Sequence, residues 1–163
     1  TQQLQTLMMA HRPALVICVG QAGGREALSL ERVAINLIDA RIADNALAQP
    51  VDEPVVAGGP AAYFSTLPVK AMRVALQRQG LAAEVSQTAG TFVCNQVFYG
   101  LMHFLATRRG WRRVRGGFIH VPWLPEQGTP SMPLEAIVHG LRLAVRVALT
   151  TPQDLRIAAG QTH

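Results

Sequence analysis

At 163 residues the chain has room for one domain with a two- or three-layer core, and 49% hydrophobic against 15% charged residues excludes a disordered chain. No apolar run approaches the roughly 18 residues of a membrane span and the start does not resemble a signal peptide, so the expectation is a soluble, cytoplasmic protein with no membrane contact. The formal charge of +5 comes from arginines, with Lys70 the single lysine, and two cysteines are too few for a disulfide scaffold, which points to a reducing compartment and free thiols.

In chain order, T-Q-Q-L-Q-T-L-M-M-A-H-R spaces Leu4, Leu7 and Met8 at helical intervals until Pro13 stops the pattern. Residues 14–20 form a β-branched, apolar run, predicted as a strand buried on both faces of a parallel sheet, with Cys18 acting inside it as a small inert hydrophobe. The loop G-Q-A-G-G-R follows at residues 20–25. It matches neither a Walker loop nor a dinucleotide fingerprint, and its glycines permit close backbone approach, so it reads either as lining for a substrate or as a plain connecting loop.

Residues 28–36, L-S-L-E-R-V-A-I-N, partly alternate and predict a second strand carrying Glu31. Asp39, Arg41, Asp44 and Asn45 crowd into D-A-R-I-A-D-N, the composition of a hydrogen-bonded turn network. A Pro/Gly loop over 50–60 leads to an extended piece at 63–67. Pro68 then opens a helix with Val69, Met72, Ala75 and Leu76 on its apolar face, and Gly80 closes it.

Residues 82–87 predict a strand that runs into the turn before Cys94. From there to Arg108, Val97, Phe98, Leu101 and Leu105 repeat at helical spacing. The five arginines of R-R-G-W-R-R-V-R, residues 108–115, suit phosphate binding or base stacking, yet no basic stripe continues them, so they read as a solvated connection from helix to strand. No nucleic-acid partner is expected. G-F-I-H-V at 117–121 is a short strand, P-W-L-P forces a loop, and Ser131 and Pro133 precede a last helix whose face is traced by Leu134, Ile137, Val138, Leu141, Val145 and Ala148. Strands and helices alternate throughout, so the predicted fold class is α/β, a three-layer sandwich around a mainly parallel, mixed sheet.

Cys94 is the candidate nucleophile. A thiol at a helix N-terminus lies in the positive end of the peptide dipoles beside unpaired N–H groups, which favours the thiolate. A nucleophilic thiol also needs a base, and the base an orienting group. His120 is the candidate base, at the carboxyl end of its strand and on the edge where strand 82–87 is expected to deliver Cys94. His11, His103, His139 and His163 have no comparable position and none forms a metal-binding cluster, so neither a metal nor any other cofactor is expected. For the acid, Glu31, Asp39 and Asp44 all remain open. The plain alternative is that Cys94 starts a buried helix, His120 is a hydrogen-bonded core residue and the acids pair locally.

G-Q-A-G-G-R, E-R-V-A-I-N with D-A-R-I-A-D-N, T-A-G-T-F-V-C-N-Q-V-F-Y-G-L-M-H and G-G-F-I-H-V-P occur in one order across residues 16–122. In these stretches the chain resembles the pyroglutamyl peptidase type I, or pyrrolidone-carboxylate peptidase, family of cytosolic cysteine peptidases. The resemblance implies Cys94 as nucleophile, His120 as general base and acid, and Glu31 as the acid orienting His120. It also implies Arg41 as support for the oxyanion and Gln21, Ile42, Phe92 and Val93 as lining for the pyroglutamyl ring. The implied reaction is removal of an N-terminal pyroglutamate from peptides through a thioester acyl-enzyme, by a homo-oligomer, tetramer or dimer. The sequence departs from the family pattern in lacking an N-terminal strand and lactam-covering loop, and A-L-A-Q-P after Asn45 lacks an acidic residue and glycine common there. The expectation is therefore a single peptidase domain over 1–163, incomplete at its N-terminus, with a non-catalytic binding or assembly module of the same fold as the alternative.

Overall fold

The structure is a computed structural model that describes residues 2–43 and 47–160. Among the described residues ten elements follow one another: α1 (Gln2–His11), β1 (Leu15–Gln21), β2 (Leu28–Glu31), β3 (Val33–Ile35), β4 (Ala62–Phe64), α2 (Val69–Arg78), β5 (Ala83–Ser86), α3 (Val93–Thr107), β6 (Arg115–Val121) and α4 (Leu134–Thr150). Four strands make the central sheet in the order β1-β6-β2-β5. β1 pairs with β6 in parallel and β2 with β5 in parallel, whereas β2 and β6 are antiparallel.

The period of two along each strand divides the core. Leu28, Leu30, Ile119 and Val121 face α2 and α4, where Met72, Leu76, Ile137, Ala144 and Ala148 complete one apolar cluster. Phe118 faces the other way, with Phe98, Tyr99, Leu101, Leu105 and Trp111, under α1 and α3. The result is the expected α/β/α sandwich.

Four local expectations are corrected by the packing. Residues 28–36 are two strands in two sheets: at Arg32 the chain leaves the central sheet, and β3 pairs with β4 instead. The switch explains why the four residues of β2 are all buried while β3 only alternates. β1 is not buried on both faces either. It lies at the sheet edge, paired only with β6 among the described residues, and Val19 remains 48% exposed.

The extended piece at 63–67 is a strand only to Phe64. Beyond it, the hydroxyl of Thr66 accepts from the backbone N–H of Gly116 at 2.8 Å, while the N–H groups of Ser65 and Thr66 donate to Arg32 and Gly116, which turns the chain off the start of β6. Finally, α4 buries Ile137, Gly140, Ala144 and Ala148 rather than its larger apolar stripe, and leaves Leu134, Val138, Val145 and Leu149 exposed. Gly140 decides this face: a Cβ there would stand 2.3 Å from Leu28 Cδ1, so only glycine lets the helix lie this close to β2.

The arginine stretch is the solvated connection expected of it. Arg109, Arg112 and Arg113 are exposed, while Trp111 is buried beneath the Arg12 guanidinium, 5.5 Å from its ring centroid.

Candidate active site

The sheet brings three of the sequence-predicted side chains into one hydrogen-bonded row. Ser29 of β2 pairs with His120 of β6, and Glu31, two residues on, projects from the same face. The His120 Nδ1–H accordingly donates to Glu31 Oε1 at 2.7 Å, with Glu31 fully buried and His120 3% exposed. This bond fixes the tautomer that leaves Nε2 for Cys94, the second hydrogen-bond partner of the imidazole. Burial, the largest influence on His120, favours its neutral form. Hydrogen bonds to Cys94 and Glu31 and the attraction of their charges prevail, and the pKa rises above the usual 6.5. The imidazolium that would accompany a thiolate is therefore favoured.

Cys94 arrives by a route other than the expected one. β6 is antiparallel to β2 and hence to β5, so the carboxyl ends of β5 and β6 do not share a sheet edge. Instead, α3 runs antiparallel to β6: Leu105 and Leu101 lie over Gly116, Phe98 beside Phe118, and Cys94 over Gly20, at the carboxyl ends of β1 and β6. The turn over residues 87–92 carries the chain back to that level. Phe92, the residue before the helix, is extended and makes no side-chain cap, and the first intrahelical bond runs from Gln96 N–H to its carbonyl. The N–H groups of the first turn thus have no acceptor within the helix.

Gly20 sets the height of the thiol. A Cβ at this position would lie 2.8 Å from Phe118 Cζ and 2.9 Å from Cys94 Sγ, closer than side-chain carbons approach. Gly20→Ala is expected to reduce kcat/KM by about 10- to 100-fold by pushing the sulfur out of line. Measured beside the thermal midpoint, a kcat/KM equal to that of the parent would refute the contact's role.

The remaining predicted residues are dispersed around this row. Phe92 is half-buried at the helix start, and Val93, Ile42 and Gln21 are exposed. Gln21 is held by reciprocal amide bonds with Gln127, at 2.6 and 3.2 Å. Arg41 is exposed, and no hydrogen bond or ion pair engages its guanidinium among the described residues. Of the Asp/Asn/Arg side-chain network expected for residues 39–45, only the part at Asp39 and Arg41 falls among the described residues, where no side-chain bond joins the two. Among the described residues Asp39 contributes backbone, its N–H donating to Thr91 O and its carbonyl accepting from Thr91 Oγ1, while the Gln49 amide donates to the carbonyls of Ala40 and Arg41. Asp44 and Asn45 lie outside the described residues. Cys18 is half-buried beside the α3 cluster rather than deep in the core, and burial pushes its thiol up to about 11, as suits an unreactive sulfur.

Two residues escaped sequence reasoning. Asn95, 1% exposed, accepts from Ile35 N–H at 2.9 Å and donates to the carbonyls of Ile35 and Leu37 at 2.9 and 3.0 Å, which clamps the segment after β3 to the helix that carries Cys94. Arg25 reaches Glu31 Oε1 at 3.1 Å. An asparagine directly after the cysteine, within an otherwise apolar helix, was a legible signal; nothing in the sequence marked Arg25 apart from its neighbours.

A thiol, an imidazole and a carboxylate in hydrogen-bonded succession, at the start of a helix on an α/β/α sandwich, is the equipment of a thiol hydrolase. The family model described as pyroglutamyl peptidase matches residues 1–151, and the chain belongs to that family. The pyrrolidone-carboxylate peptidase of Cupriavidus taiwanensis is 64% identical over 157 residues, covering 93% of this chain and 72% of that protein. That of Bacillus cytotoxicus is 50% identical over 167 residues, covering 99% and 77%. Among solved structures, pyroglutamyl peptidase I from Bacillus amyloliquefaciens superposes with a TM-score of 0.93 at 45% identity, over 96% of this chain and 76% of that one. The pyrrolidone carboxyl peptidase from Thermococcus litoralis gives 0.91 at 36%, over 96% and 76%. These relatives are all named peptidases, and the reading of the chain as a non-catalytic module finds no support among them. Among the described residues, no helix is long and apolar enough to cross a membrane.

Proposed function

We propose that Cys94, His120 and Glu31 carry the peptidase chemistry of this chain, cleaving the bond after an N-terminal pyroglutamate. The observation that supports this reading is the His120 imidazole, buried, hydrogen-bonded through Nδ1 to Glu31 and partnered by the Cys94 thiol. The Cys94 thiolate attacks the carbonyl that joins the lactam to the next residue, and its sulfur forms a tetrahedral adduct. Backbone N–H groups of the first turn of α3, left free by helix geometry and by the absence of a side-chain cap, take the oxyanion. The imidazolium of His120 then protonates the leaving amine, the C–N bond breaks and a thioester remains. Neutral His120 next takes a proton from water, whose oxygen attacks the thioester; the proton returns to sulfur or stays on the imidazole, and pyroglutamate leaves.

Substrate selection belongs to the same proposal. A lactam has no ammonium to desolvate, so an apolar surround that includes Phe92, Val93 and Ile42, with Gln21 beside it, accepts the ring and excludes an ordinary charged N-terminus. Arg41, on a segment tied to the helix start through Thr91, is assigned to the oxyanion side. A single peptidase domain, a cytoplasmic location and a homo-oligomer complete the reading. The exposed stripe of Leu134, Val138, Val145 and Leu149 on α4 is the surface we assign to subunit contact. Trp123, by contrast, packs inside its own chain against Gly23 and Gly128.

The test is hydrolysis of a pyroglutamyl-arylamide under reducing conditions. Release of the arylamine, with a prolyl-arylamide left intact, is expected. Hydrolysis of both at similar rates would sink the assignment of lactam specificity, and hydrolysis of neither would sink the activity.

A further inference from the structure

Arg25 stands in the loop between β1 and β2 and touches the row of the active site from behind. Its Nη1 is 3.1 Å from Glu31 Oε1, the same oxygen that accepts the His120 Nδ1–H at 2.7 Å. Its Nη2 donates to the carbonyl of Thr88 at 3.1 Å, in the turn that carries the chain to Cys94. Glu31 Oε2, buried, has no hydrogen-bond partner among the described residues, so the whole carboxylate is held through one oxygen, by the His120 hydrogen bond and the Arg25 ion pair. We propose that Arg25 is a positioning residue of the peptidase site, the cation that holds the Glu31 carboxylate aimed at His120 and that ties the Cys94 turn to the same carboxylate. The proposal rests on the reading of Cys94, His120 and Glu31 as the catalytic row.

A buried carboxylate with no cation beside it either takes up a proton or rotates away, and either change would release His120 from its tautomer. The charges around His120 can be named element by element. Glu31 approaches from β2, Cys94 from α3 and Arg25 from the loop, while β1 contributes only Gly20 at the paired position, with Cys18 next on its face. Glu84 of β5 accepts from the Ser29 hydroxyl at 2.6 Å and lies 3.8 Å from Arg25. Asp39 and Arg41 lie exposed on the segment bound to Thr91.

Arg25 is thus the fixed positive charge in contact with the row. Remove it, and the Cys94–His120–Glu31 unit gains proton affinity as a whole, whichever member holds the added proton. The acidic limb of the rate profile, where that unit becomes over-protonated, must therefore move to higher pH. Lysine at the same position would restore the charge, but a single ammonium lacks the fork that serves Glu31 and Thr88 together.

The experiment is kcat and KM against pH on a pyroglutamyl-arylamide for the full chain and for Arg25→Gln, Arg25→Met, Arg25→Lys and Glu31→Gln, with thermal midpoints in the same buffers. The two neutral variants are expected to shift the acidic limb up by about 1 pH unit. They should also lose kcat by roughly 10-fold or more, with KM changed by less than about 3-fold, because the interaction acts on the reacting groups rather than on substrate binding. Arg25→Lys should return the limb to its original position and recover only part of kcat. If Arg25→Gln and Arg25→Met keep the parental limb and show only a lowered midpoint, while Glu31→Gln is still crippled, Arg25 is structural and the proposal fails with the catalytic row intact. A Glu31→Gln variant with parental rate and limb overturns the catalytic row itself, and Arg25's role with it.

Discussion

Serine at position 94 is expected to lower kcat by about 10⁴-fold or more, with the thermal midpoint nearly unchanged. The exchange is close to isosteric, and the half-buried thiol at the head of α3 contributes little packing. What it removes is the ionised sulfur, because a hydroxyl beside the same imidazole gives up its proton far less readily. His120→Ala should cost a similar factor, since it deletes both the proton acceptor and the link to Glu31. Cys18→Ser is the control: that thiol, pushed up to about 11 by burial, should be dispensable for turnover. Arylamide hydrolysis and thermal melting of the three variants check the assignment. Activity retained in Cys94→Ser and lost in Cys18→Ser would exchange the roles of the two sulfurs.

The second large effect concerns stability as much as rate. Asn95→Ala leaves the N–H of Ile35 and the carbonyls of Ile35 and Leu37 without the partner they have now, at a site that is 1% exposed. One orphaned buried group costs roughly 1–3 kcal/mol, so a loss of about 2–4 kcal/mol is expected if part of the site rehydrates. For a chain of this size that lowers the thermal midpoint by roughly 6–12 °C. Activity should fall further than stability accounts for, because the clamped segment leads to Asp39, Arg41 and Ile42. Asn95→Asp should rescue neither property, since it keeps an acceptor for Ile35 N–H while burying a charge against two carbonyls. Thermal melting with kcat/KM on the same samples decides the matter; a midpoint within about 2 °C of the parent would show that the clamp is dispensable.

Much of the fold could be read directly from the chain. Pro68 and Gly80 bracket α2, the apolar repeat from Val97 to Leu105 marks α3, and the β-branched run before Gly20 marks β1, because these are local signals of steric and burial period. The errors fall where local signals are silent. Nothing between Glu31 and Val33 tells a strand to change sheets, since both halves are extended and apolar, and only the position of β4 draws β3 away. Nor does periodicity reveal that α4 buries glycine and alanines in preference to leucine and valine; the space left above Leu28 determines it. Capping of α2 is similarly remote: Pro68 supplies no side-chain bond, and the first-turn N–H groups of Lys70 and Ala71 are met by Asp154, at 3.1 and 2.9 Å, from beyond α4.

The candidate site divides along the same line. A cysteine after an extended turn, at the head of an apolar helix, and a histidine near the end of an apolar strand were determined by the sequence alone, because helix starts and strand ends are set by near neighbours. Which acid joins them was not: by residue type and placement Glu31, Asp39 and Asp44 are equivalent, only the family resemblance implies Glu31, and an antiparallel register puts it diagonally across from His120. The same register reverses β6 relative to β5, so the meeting of Cys94 with His120 depends on α3 lying antiparallel along β6 rather than on two strands ending at one edge. Arg25 belongs wholly to the tertiary structure, and Asn95, visible as a polar residue in an apolar helix, gains its partners only there. Ile35 and Leu37 for Asn95, and Thr88 for Arg25, lie tens of residues away in sequence, and a charge or an amide acquires a role only when folding removes the water that would otherwise satisfy it.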